Sequence, residues 1–278
     1  MSTVKNKSCY NTVKPITATE DIIMRKNTYI NGRQGKLECI LFEPDERNAG
    51  KGSFLFLPGV PGTDKNEDLA EMLCFDGYRV LCLSFSGTCG SEGIYSLEHA
   101  LEDAETAYSY LNALDPDGVS VFGHSMGGFI AAHTAAAHPN TRSLILMFPC
   151  DIGRLPIWDD ESIMTSYIVK DFLDSHASLL SGVSSEQLIS EIYLNSKSFS
   201  LINLAPALSR IPVLMIGGSR DRYAPPRLNC SPLYDGLRSI QGSHVVYKEF
   251  ETGHYGADCR GLISIAISDF LRENVRIG

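Results

Sequence analysis

Short β-branched or aromatic runs alternate with longer stretches of helical spacing along most of this chain, and few folds accept that order. Candidate strands lie at 22–30, 36–42, 53–57, 79–84, 119–122, 143–148, 213–216 and 244–250. Helical spacing fills 65–75, 97–114, 126–137 and 260–274. Strands separated by helical crossovers pair in parallel and are covered on both faces. The first two strands have only "NGRQG" between them, a glycine-rich hairpin connection, so the sheet is expected to begin antiparallel. From 149 to 211 the alternation stops, and two stretches of helical spacing carry no strand candidate. The expected organisation is an N-terminal extension over 1–20, an α/β core over 21–150 and 206–278, and an inserted helical cap over 151–205.

Composition narrows the function classes. With 278 residues, 44% hydrophobic and 21% charged, the chain is long enough to bury one sizeable core. Its net charge of -9, with acids and bases interspersed, forms no basic patch for phosphate backbones or anionic lipid, so no nucleic-acid partner is expected. The first residues hold no apolar core of a signal peptide, and no apolar run approaches the roughly 20 residues of a membrane span. A cytoplasmic protein without a membrane partner is expected. The eight cysteines are scattered without a C-x-x-C, which reads as buried free thiols rather than disulfides or a metal site.

"GHSMG", residues 123–127, fits G-x-S-x-G at the place where that motif has a mechanical reason, after a buried strand and at the opening of a helix. So sharp a corner strains the backbone of Ser125 at its apex, and glycines 123, 127 and 128 let the strand and helix approach. The serine hydroxyl then projects at the carboxyl end of the sheet, where open α/β folds bind ligands. A serine needs a base, and the base needs an orienting acid. His254, in the glycine-flanked loop "FETGHYGADC" after the last strand, is the expected base. His99, His133, His138, His176 and His244 sit in helices, in the cap or at a strand start, and His124 is expected to point away from the site. Asp221, after an apolar strand and two glycines, is the first choice for the acid, with Asp151 after the preceding strand as the alternative. "LPGVPG" provides a loop that bends over the nucleophile, so the amides of Val60 and Met126 are the expected oxyanion donors. "FSGTCGSEG" is expected to shape a wall of the site.

In order, spacing and context these segments resemble the α/β-hydrolase superfamily from residue 22 onward, with Ser125, Asp221 and His254 matching nucleophile, acid and base. Two positions depart from that pattern: Pro58 stands where a histidine is usual, and Ser86 where an arginine is. The resemblance implies an eight-stranded, mostly parallel sheet flanked by helices, with an inserted helical cap. It also implies a hydrolase without cofactor or metal, acting through an acyl-enzyme on a small-molecule acyl substrate. A carboxylesterase for small or medium acyl groups is the leading expectation. An aminopeptidase-like amide hydrolase, a thioesterase or C–C bond hydrolase, and a ligand receptor that keeps the fold are the alternatives. Trp158, Tyr167, Phe172, Tyr193 and Phe199 are candidates to line an apolar pocket, and equally to be core residues of the cap. The oligomeric state is left open, a homodimer included.

Overall fold

The computed structural model describes residues 23–157 and 169–275. The expected N-terminal extension, Trp158 and Tyr167 lie outside the described residues. One sheet of eight strands runs through the molecule in the order β1-β2-β4-β3-β5-β6-β7-β8. Its strands are β1 (Met24–Gly32), β2 (Gly35–Glu43), β3 (Ser53–Leu57), β4 (Arg79–Leu83), β5 (Val119–His124), β6 (Leu144–Met147), β7 (Val213–Gly218) and β8 (Val245–Phe250). β1 and β2 pair antiparallel, β2 meets β4 antiparallel, and every later pairing is parallel. The hairpin closes on Gly32 opposite Gly35, with only Arg33 and Gln34 between them. β5 runs two residues past its predicted end, because the ladder to β6 persists through His124 opposite Met147. β7 likewise extends through Gly217 and Gly218.

Successive strand residues face opposite sides, and each side is sealed by its own apolar layer. Leu55, Leu57 and Val121 join the layer beneath α2 (Leu97–Leu114) and α3 (Met126–Ala137). Phe54, Phe56 and Phe122 join the layer beneath α1 (Glu67–Phe75) and α9 (Arg260–Asn274). The Phe56 and Phe122 rings stack at 4.2 Å, which ties β3 to β5 directly under the motif. α3 is buried from Met126 through Ala132, so no amphipathic stripe is visible in its sequence: it lies inside the protein.

Between β6 and β7 no strand occurs among the described residues. The segment holds a 3₁₀ turn (Ile152–Ile157), α4 (described over 169–176), α5 (Ser185–Phe199) and α6 (Ala205–Leu208). α5 opens on a capping box in which Ser184 accepts from the Gln187 amide while the Gln187 side chain receives the Ser184 amide. Two short helices after β7, α7 (Pro226–Asn229) and α8 (Ser231–Arg238), escape the periodicity argument because each spans only one or two turns. Only Leu233 and Leu237 mark the buried side of α8.

Asp151 joins the two ends of the helical segment. Its amide donates to Asn229 Oδ1 at 2.8 Å, and its Oδ1 accepts from the Leu201 amide at 3.1 Å. The side chain is wholly buried and Oδ2 has no partner among the described residues. Burial, opposed by the Leu201 amide and the charge of Arg154, pushes the carboxyl up to about 7. The folded protein therefore holds this proton between about pH 4 and pH 7 where the unfolded chain has released it, so Asp151's contribution to stability falls as pH rises through that window and is level above it. Asp151→Asn keeps the acceptor for Leu201 without the ionisation, and is expected to stabilise the protein more at pH 8 than at pH 5 in chemical denaturation, by about 2 kcal/mol at the higher pH.

Candidate active site

Ser125 sits between β5 and α3 with φ 57° and ψ -123°, a left-handed conformation that a non-glycine residue holds only when its surroundings impose it. Its amide donates to the Met147 carbonyl at 3.0 Å, and its carbonyl accepts from the Gly128 and Cys150 amides, each at 2.9 Å. These bonds clamp the corner to β6 and to the segment after it. The close approach needs glycine at two positions: a methyl at Gly123 would strike the Gly127 carbonyl, and one at Gly127 would strike the Leu57 and Pro58 carbonyls.

His254 stands on the loop after β8, with Nε2 2.7 Å from Ser125 Oγ and Nδ1 2.7 Å from Asp221 Oδ2. The Asp221 side chain is wholly buried, and its Oδ1 accepts from the Tyr223 and Ala224 amides at 2.9 Å each. A carboxylate accepts only, so Nδ1 carries the proton and Nε2 presents its lone pair to the serine hydroxyl. Ser125, His254 and Asp221, the residues expected from the sequence, are thus brought into one hydrogen-bonded chain. Asp151, the alternative acid, is instead bonded to Leu201 and takes no part.

His124 departs from expectation. Its ring lies 5.3 Å from the His254 ring and lines the same cavity, with Nε2 3.1 Å from the His254 carbonyl. Burial, then the neighbouring His254, pushes this imidazole down to about 4, so at neutral pH it is uncharged and donates Nε2–H to that carbonyl. Strand alternation predicts that the residue before the nucleophile turns away. The loop carrying His254 folds back over β5 and meets it there.

The loop after β3 brings Val60 to the cavity beside Met126, the first residue of α3. Among the described residues neither backbone amide has a protein acceptor, which leaves both free to bind an oxyanion. The second departure from the family pattern, Ser86 in place of an arginine, has local substitutes. The Ser86 amide and hydroxyl both donate to buried Asp103 on α2, at 2.6 and 3.0 Å, and hold the "FSGTCGSEG" loop without an arginine. Glu38 on β2 holds the same loop by accepting from Ser84 Oγ at 3.1 Å and the Gly90 amide at 3.3 Å. Sequence reasoning passes over both acids. Asp103 does leave a signal, a charged residue on the stripe of Ala100, Ala104, Ala107 and Leu111 that the helix buries.

The cavity beside Ser125 has a volume of about 140 Å³, and its lining is mostly apolar, with Leu97, Ile152, Leu173, Leu188 and Ile192 among the walls. Of the aromatic candidates, Phe172 lines it, stacked on His176 at 4.1 Å. The other two described candidates do not. Tyr193 is 60% exposed on α5, and Phe199 is buried against Phe129 at 5.0 Å. The exposed Cys89 is an exception to buried thiols; Cys39, Cys74, Cys82, Cys150 and Cys230 are buried, and all the described cysteines are free. Among the described residues no cluster of three or more histidines, cysteines or acids could hold a metal ion, and no helix is long and apolar enough to cross a membrane.

A family model described as the alpha/beta hydrolase fold matches residues 52–201, more than half of the chain. The chain belongs to the α/β-hydrolase family and is an enzyme of the hydrolase class. A comparison with individual curated proteins found no match. Among solved structures it is similar to a thermostable carboxyl esterase from Bacillus coagulans, with TM-score 0.70 and 16% identity over 92% of this chain and 100% of that one. An esterase of Pyrococcus furiosus gives 0.67 and 18% over 91% and 92%. An acylaminoacyl peptidase of Pyrococcus horikoshii gives 0.69 and 14% over 92% of this chain but 42% of its own.

Proposed function

We propose that this enzyme is a serine hydrolase that cleaves esters of small or medium acyl groups through an acyl-enzyme. The observation that carries the reading is the chain Ser125–His254–Asp221, with both links at 2.7 Å, opening on an apolar cavity beside two unpaired amides. Ser125 Oγ attacks the acyl carbonyl as His254 Nε2 takes its proton, and Asp221 steadies the imidazolium through Nδ1–H. The carbonyl oxygen becomes an oxyanion between the Val60 and Met126 amides. His254 then protonates the departing alcohol, and the ester bond to it breaks. Water, deprotonated by the same nitrogen, releases the acid and restores the serine. The segment over 151–205 serves as the cap: Ile152, Leu173, Leu188 and Ile192 all come from it and enclose the acyl group. The described free thiols accord with a reducing, cytoplasmic setting. The substrate partner is a small acyl compound.

A fluorophosphonate probe tests this reading. The intact protein is expected to gain one adduct by mass spectrometry, the Ser125→Ala variant none, and p-nitrophenyl esters are expected to be cleaved faster than aminoacyl anilides. Faster anilide cleavage would replace the ester reading with an amidase one. No adduct on the natural chain would leave a fold without an activated serine.

A further inference from the structure

On the reading that Ser125 is the nucleophile and His254 the base, the leaving group departs on the His254 side, because that imidazole delivers its proton. The wall there differs from the rest of the cavity. The rings of Tyr223 and Tyr255 lie 5.4 and 5.5 Å from the His254 ring, both line the cavity, and Tyr255 is 48% exposed, so the His254 side reaches solvent at Tyr255. Asp64, on the loop after β3, lines the same cavity as Tyr223, Tyr255 and His254. Among the described lining residues Asp64 is the one with a fixed charge; no lysine or arginine lines the cavity. The nearby cations are held elsewhere: Lys65, next to Asp64, by Glu38 at 3.3 Å, Arg260 by Asp68 and Asn66, and Arg220 by Asp258 and the Glu251 carbonyl. Arg222 is exposed and lines no part of it.

We propose that Asp64, Tyr223 and Tyr255 form a leaving-group subsite for a cationic alcohol, so that esters of ammonium-bearing alcohols are preferred over neutral esters of the same shape. A quaternary ammonium is drawn to tyrosine rings by their quadrupole and to the carboxylate by its charge. A neutral alkyl group gains neither attraction, and an anionic one is repelled by Asp64.

The test compares kcat/KM of the full chain for choline butyrate and for neohexyl butyrate, in which carbon replaces the nitrogen. The ammonium ester is expected to be favoured by about tenfold, equivalent to about 1.4 kcal/mol. The preference should shrink to about threefold in Asp64→Asn, and also at about 0.5 M salt in the unaltered enzyme, where an exposed charge is screened. Asparagine keeps the Oδ1 that accepts from the Asn66 amide at 3.0 Å, so the loop retains its turn; the salt arm needs no variant at all. Equal rates for the two esters, or a preference that neither Asp64→Asn nor salt reduces, would overturn the subsite. So would a protein that labels with fluorophosphonate yet cleaves neither ester. Failure to label would instead overturn the serine-hydrolase reading, and the subsite with it.

Discussion

The His254→Ala variant is expected to lose kcat by about 10⁴- to 10⁶-fold on any ester the natural chain cleaves, with its melting temperature within a few degrees of the parent. The reason is the geometry of one ring. His254 is the one residue bonded to both Ser125 and Asp221, so its removal leaves a neutral hydroxyl with no acceptor and a carboxylate with nothing to orient. Stability should change little by comparison, because Asp221 keeps the Tyr223 and Ala224 amides as donors. Asp221→Asn should cost about 10⁴-fold by a different route: an amide can offer N–H to Nδ1 and so favour the tautomer that points a proton at the serine. Steady-state kinetics beside thermal melts separate these effects from misfolding. A fall of less than about tenfold in His254→Ala would remove the general-base role.

The second large effect falls on the fold. Gly127→Ala is expected to destabilise the protein by more than about 4 kcal/mol, seen as a lower denaturation midpoint or as loss of soluble protein. The added methyl meets the carbonyl oxygens of Leu57 and Pro58, backbone atoms at the end of a central strand that have no rotamer with which to yield. Relief requires moving α3 from the sheet. That shift breaks the contact that places Met126 beside Val60, so activity should fall with stability. The same substitution at Gly261, in α9, where an added methyl has open space, should leave activity unchanged and stability equal or up to about 1 kcal/mol higher, and serves as the control.

Much of the fold was legible because its signals are local. Eight candidate runs match eight strands: β3, β5, β6 and β7 are mostly apolar because they are buried on both faces, whereas the edge strands β1 and β8 are partly exposed and mix apolar with polar residues, and the predicted spans of α2, α3 and α9 agree with the structure. The Ser125 corner was legible for the same reason, its strand, strained turn and helix being consecutive in the chain. α7 and α8 were not, being too short to show a period. Tyr193 and Phe199 show the limit more sharply. Both are aromatic and both lie on α5, yet one faces solvent and the other packs on Phe129, a choice made by neighbours from other parts of the chain.

What is local to the chain is an order: a serine at a glycine-flanked corner, then an acid, then a histidine, each following a candidate strand. Which of two acids meets His254 was settled by the packing of the loops. Asp221 and Asp151 both follow buried strands, and only the placement of the loops gives one of them His254 and the other Leu201. Packing also decided that His124 meets the His254 carbonyl, that Asp103 and Glu38 take over the holding of a loop, and that Asp64 lines the same cavity as Tyr223 and Tyr255. The division has one physical cause. Propensity and periodicity act over a few residues, whereas a hydrogen bond between groups more than a hundred residues apart exists only once the packed sheet has brought their loops together.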